Sequence, residues 1–139
     1  MELYTVAKLI IESHAFSEEF TRQIIGKLRR FTAPEELETT DLVISREIAL
    51  YNCDKHDCDN IPENLWQLAA AIAKKREITI TCYTEDTSVS RTRIRPVSLE
   101  QSGKYFILTA RDTGRNDEPQ HFRVDYITNI VEHRKRFDI

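Results

Sequence analysis

Residues 91–95 read Arg-Thr-Arg-Ile-Arg. Side chains alternate between faces along a β-strand. Arg91, Arg93 and Arg95 therefore project to one side, and Thr92 and Ile94 to the other. A guanidinium offers a rigid fork of N–H donors that matches planar anions, and its flat face stacks on aromatic rings. Three such groups on one strand face describe a surface for an anionic ligand. Nearby strand-like runs add candidates of the same kind. Tyr83 ends the alternating run Ile78-Thr-Ile-Thr-Cys-Tyr83, and His121 and Arg123 alternate with Phe122 and Val124. Tyr83, Arg91, Arg93, Arg95, His121 and Arg123 are thus the candidate ligand-binding residues. The arginines would hold phosphates and the ring would stack a base. The competing reading is a solvated outer face whose charges keep the sheet from aggregating.

Other clusters carry less chemistry. Cys53, His56 and Cys58 have spacing that can begin a zinc site. No second cysteine pair completes it, and Asp54, Asp57 and Asp59 mark a hydrated linker. Cys82 sits at an apolar strand position and reads as core. Cys53 or Cys58 with His56 could form a nucleophile–base pair, but residues so close on one loop are rarely held for catalysis. Glu35-Glu36 and Asp117-Glu118 read as solvated carboxylates, and three scattered glycines make no phosphate loop. We expect no enzyme, no metal and no cofactor.

These candidates must be positioned by a scaffold. Residues 3–15 carry apolar side chains at helical spacing, at Leu3, Val6, Ala7, Ile10 and Ile11. Ser17 is a candidate N-cap for a second helix running to about Phe31, with Glu18 and Glu19 in its first turn. Phe20, Ile24, Ile25 and Leu28 form its stripe. Residues 35–50 read as part helix, part extended chain. Residues 51–60 read as a linker. Pro62 opens a further helix to about Arg76, with Leu65, Leu68, Ala69, Ile72 and Ala73 as its buried face. Trp66 reads as packing between helix and sheet. The period then changes to 2 over residues 78–136, where five short antiparallel strands are expected, with residues 104–111 as the central one.

The chain has 139 residues with a net charge of −3, enough for a real core without staples. Residues 1–75 hold nine basic and 13 acidic side chains, and residues 76–139 hold 11 and 10, so the halves carry −4 and +1. Overall charge therefore gives no support for coating nucleic acid, and anion binding must be local. Three cysteines, an odd count, and a start without a basic and apolar leader point to the cytoplasm. No apolar run approaches a membrane span.

Four runs in order resemble the WYL domain family: Ala71–Tyr83, Ile94-Arg-Pro-Val-Ser-Leu99, Gly103-Lys-Tyr-Phe-Ile-Leu-Thr-Ala110 and Phe122-Arg-Val-Asp-Tyr-Ile127. The namesake triplet would be Tyr105-Phe106-Ile107. The resemblance covers about residues 61–137. It implies an α+β chain: a helical linker and dimerisation region over residues 1–60, then a five-stranded Sm/SH3-like antiparallel barrel over residues 61–139. It also implies a ligand-sensing role in a bacterial transcriptional regulator, with nucleotide or single-stranded nucleic acid as ligand. Tyr83 and Arg123 match family positions, whereas Gln120 and Tyr126 stand where the family has arginine. The helices of residues 1–50 are similar to the linker that precedes WYL domains. Such regulators begin with a DNA-binding winged helix-turn-helix, which this chain lacks. We therefore expect either a fragment of a longer regulator or a protein without that module, contacting DNA only through a module outside this chain, and homodimeric. The alternative is a protein–protein interaction module whose arginines sit at the rim of an interface.

Overall fold

A computed structural model describes residues 1–49, 60–84, 86 and 88–136. The Cys53–His56–Cys58 cluster and the expected linker lie outside the described residues, except for Asn60. The chain divides into two compact units, Met1–Asp59 and Asn60–Ile139.

The first unit is helical. α1 spans Glu2–Ser13, α2 spans Glu18–Leu28 and continues as a 3-10 turn over Arg29–Phe31, and α3 spans Pro34–Ala49. Ser17 caps α2 as expected, its Oγ accepting the Phe20 N–H at 3.1 Å. Leu3, Ala7, Ile11, Ile25, Ile44 and Ile48 form the core. The expected extended stretch is absent: α3 is continuous. Thr39 and Thr40 weaken the helical signal locally. Ile44 and Ile48, one turn apart, bury against the other helices and outweigh that propensity. A bidentate Arg29–Asp41 pair at 2.8 and 2.6 Å ties the 3-10 turn to α3.

The second unit packs one helix, α4 (Ile61–Lys74), on a five-stranded antiparallel sheet. The strands are β1 (Arg76–Tyr83), β2 (Val89–Ser102), β3 (Tyr105–Asp112), β4 (Glu118–Arg123) and β5 (Ile127–Arg136). Lys75, left-handed at φ 55°, ends α4 and turns the chain directly into β1. The order β4-β3-β2-β1-β5 puts β2 in the middle, where β3 was expected. β2 reaches 14 residues because a register shift between Pro96 and Ser98 absorbs the proline. Gly103, at φ 59°, makes the β2–β3 turn where a side chain would strain.

One apolar face forms the core. Ile78, Ile80, Cys82, Ile94, Leu108, Ala110, Val124 and Ile127 pack with Leu68 and Ala71 of α4. Buried Asn64 of α4 donates to the Ile127 carbonyl at 2.9 Å. Ala69 and Ala73 face solvent instead, and Trp66 is 74% exposed rather than packed between helix and sheet. The helix is rotated so that Ile61, Asn64, Leu68 and Ala71 face the sheet, a stripe at the same 3–4-residue spacing but one step around.

The sheet is open, so the expected closed Sm/SH3-like barrel is not formed among the described residues. Curvature is nonetheless forced by the chain. Five strands laid flat span roughly 19 Å between outer strands. The 3-10 turn Val124–Tyr126, which joins β4 at one edge to β5 at the other, advances only about 6 Å. The sheet must curl to bring its edges together. Its corner bonds locally, Arg123 to Asp125, instead of completing a ladder.

Candidate ligand-binding face and seam groove

The outer face is the surface opposite the core. Register places Thr79 opposite Arg93, Thr81 opposite Arg91 and Arg95 opposite Arg111. Arg91, Arg93 and Arg95 therefore share one outward face, as their alternation requires, and Arg111 joins them from β3.

A buried carboxylate organises this face. Glu77 is 4% exposed. It accepts two bonds from Arg93, Nε at 3.0 Å and Nη2 at 2.7 Å, and one from Arg95 Nε at 3.1 Å. Burial pushes the Glu77 carboxyl up, but the hydrogen bonds from Arg93 and Arg95 and their charges together outweigh it and hold the group below its ordinary value. Arg95 also reaches Asp117 at 3.4 Å, and Arg111 donates to the Asp117 carbonyl at 3.2 Å. Arg93 and Arg95 are thus already engaged. Arg91 is exposed and has no carboxylate within bonding reach among the described residues.

The other three candidates meet at the seam of the curled sheet. A groove of about 350 Å³ is lined by Cys82, Tyr83, Thr84, Ser90, His121, Phe122, Arg123 and Tyr126. It draws on the β1–β2 hairpin and on β4, elements that only the curl brings together. Ser90 lines it from β2, whereas Arg91, Arg93 and Arg95 project from the other face of that strand. His121 Nδ1 lies 3.1 Å from Thr109 Oγ1, leaving Nε2 as the ring nitrogen Thr109 does not engage.

Arg123 is the most constrained cation here. Its Nε and Nη2 grip Asp125 at 3.0 and 2.7 Å, and its Nη1 donates to Tyr126 Oη at 3.2 Å. Its guanidinium carbon lies 3.9 Å from the Tyr105 ring centre and 4.2 Å from that of Tyr126. Asp125 first, and more weakly the two tyrosines, raise its pKa further. Arg123 therefore serves as a rigid wall of the groove. Tyr126 supplies the ring beside it.

Glu77 and Arg111 do not stand out in the sequence reading, and Asp117 is read there only as a solvated carboxylate. Antiparallel register across the β1–β2 hairpin would have placed Glu77 beside the arginines. Asp117 and Asp125 are brought in by turns, which leave no periodic signal. In the first unit, a hollow of about 650 Å³ is walled in part by Glu35 and Glu36, which suits no anion.

The sequence model of the WYL domain matches residues 63–132, about half of the chain. The chain belongs to the WYL domain family. The match starts inside α4 and ends inside β5, so it covers the curled sheet and both halves of the candidate site. The solved structure of proteasome accessory factor B/C (PafBC) of Arthrobacter aurescens is similar to this chain, with a TM-score of 0.53 at 11% identity. The similarity covers 70% of this chain and 16% of that one, so this chain spans a small part of that protein. No curated protein matches the sequence. No helix among the described residues is long and apolar enough to cross a membrane.

Proposed function

We propose that this WYL domain is a non-enzymatic sensing module of a transcriptional regulator, and that it binds a nucleotide or a single-stranded nucleic acid. The observation that carries the reading is the seam groove. Three of the six candidates, Tyr83, His121 and Arg123, line one cavity, and the other three share the outer face of β2. A base would enter beside Tyr83 and His121, and phosphates would track Arg91, Arg93 and Arg95. Membership of the WYL family and the PafBC-like fold support a regulatory role. Binding would act by shifting the arrangement of subunits or of a DNA-binding module elsewhere in the regulator.

The test is fluorescence anisotropy with a labelled oligothymidylate at several salt concentrations. Arg91→Ala removes a cation that holds no described carboxylate, so it should weaken binding several-fold and lower the salt slope by about one. Its thermal stability should be unchanged. Unaltered affinity and slope in Arg91→Ala combined with His121→Ala would defeat the reading. A double variant of Arg93 and Arg123 is a poorer probe, because both arginines neutralise buried carboxylates.

A second reading is favoured by one observation. Trp66 is 74% exposed beside a depression lined by Gln67, Ala70, Lys74, Ile78, Ile130 and Glu132, the composition of a protein-contact surface. In that reading binding to a partner would depend weakly on salt. We also infer a homodimer. Leu9, Phe31 and Leu42 of the first unit are 69%, 87% and 62% exposed, and in a homodimer a second copy would cover them. Sedimentation should show a mass that rises with concentration, and a single monomeric species throughout would refute it.

A further inference from the structure

We propose that Arg95 and Arg111 form a phosphate site on the outer face, that the chain covers this site with its own Asp117, and that a phosphate of the bound ligand displaces that carboxylate. The inference rests on the reading above and adds a step to it.

Like charges directly opposite one another on neighbouring strands repel. Arg95 and Arg111 are such a pair. Glu77 offsets only part of this charge, because it is shared between Arg95 and Arg93. The second offset comes from the β3–β4 turn, which folds Asp117 back over both arginines. Its carboxylate faces Arg95 and its carbonyl accepts from Arg111.

The two carboxylates differ in kind. The Glu77 side chain is 5% exposed and bound at 2.7–3.1 Å. The Asp117 side chain is 50% exposed and touches Arg95 at 3.4 Å. A long, hydrated, screened contact is weak and exchangeable. The turn does not depend on it. Asn116 and Asp117 adopt left-handed φ of 55° and 57°, a region these residue types tolerate. Backbone bonds from Asp117 N to Asp112 O at 3.1 Å and from Glu118 N to Arg115 O at 3.1 Å hold them there. The carboxylate can therefore swing away while the turn stays folded. Glu77 keeps Arg95 fixed throughout. A phosphate offers more charge and more acceptor oxygens than the carboxylate it replaces, and it can engage both guanidiniums at once.

The test compares wild type, Asp117→Asn and Glu118→Gln with the labelled oligothymidylate, and uses unlabelled thymidine monophosphate as competitor. Asp117→Asn keeps the side-chain shape and the tolerance for left-handed φ. It should tighten oligothymidylate binding roughly three- to tenfold and steepen the salt slope by about one. Glu118→Gln removes an adjacent exposed charge that covers neither arginine, and should change little. Adding Arg111→Ala to Asp117→Asn should abolish the gain. Competition by the mononucleotide that is sharper in Asp117→Asn would assign the site to a nucleotide phosphate; a gain confined to the oligomer would assign it to a nucleic-acid backbone. Equal gains from Asp117→Asn and Glu118→Gln would overturn the proposal in favour of a general field effect. An unchanged Asp117→Asn, with Arg91→Ala still weakening binding, would overturn the proposal and leave the proposed function standing. Absence of binding by every variant would remove both.

Discussion

Replacing Glu77 with alanine should destabilise the second unit by about 2 kcal/mol at neutral pH, since hydrogen bonds to charged groups are worth about 1.5–3 kcal/mol each and the surviving arginines regain water. Glu77 lies at the start of β1, on the outer face of the sheet, and accepts three bonds from β2. Removing it leaves Arg93 and Arg95 beside Arg111, with Asp117 still facing Arg95. The wild-type advantage should depend on pH with a definite sign. The folded-state pKa of Glu77 is below its ordinary value of 4.5. Its contribution is therefore complete above about pH 4.5 and is lost as pH falls through the lower folded value. Urea unfolding of wild type and Glu77→Ala at neutral pH and at successively lower pH measures this directly. The two curves should converge as acid protonates Glu77. A gap that stayed constant into strong acid would show that the side chain stabilises by packing and not by charge.

Arg123→Ala should cost more, about 3 kcal/mol, because it strands a buried carboxylate with no partner. The Asp125 side chain is 3% exposed and accepts two bonds from Arg123. The same change opens the space between Tyr105 and Tyr126, so the groove should lose shape as well as charge. Arg123→Lys keeps the charge but not the fork, and should fall between. The double variant Arg123→Ala with Asp125→Ala should be more stable than Arg123→Ala alone, since it removes the stranded charge along with its partner. Urea midpoints of wild type, Arg123→Ala, Asp125→Ala and the double variant form the cycle. A double variant whose loss equals the sum of the two single losses would mean that the pair acts independently. Loss of ligand binding by Arg123→Ala is thus expected through folding and groove shape, which is why Arg91 is the cleaner probe of contact.

Much of the scaffold was legible in the residues. The change of period after Arg76, Ser17 as a cap, Pro62 at the start of α4 and Gly103 at a hairpin are local signals, and each appears where its chemistry places it. The WYL resemblance, read from four short runs in order, is borne out by the family match over residues 63–132. Local signals failed where packing decides. α3 is helical because Ile44 and Ile48 find a core. Trp66 and Ala73 are exposed because the rotation of α4 is set by which stripe fits the sheet. β2 rather than β3 is central, since strand order depends on how β5 crosses to β1.

The same division holds for the site. By itself the sequence determined which side chains share a face: alternation puts Arg91, Arg93 and Arg95 together in any strand, whatever surrounds it. Only the tertiary structure decided what those charges do. The hairpin register sets Glu77 under two arginines, the β3–β4 turn lays Asp117 against Arg95 and Arg111, and a three-residue corner curls the sheet so that Tyr83 of β1 meets His121 and Arg123 of β4 in one groove. The physical reason is range. Strand alternation is a property of neighbouring residues, whereas the pairing of charges and the closing of a groove depend on segments dozens of residues apart, brought together by the burial of a common core.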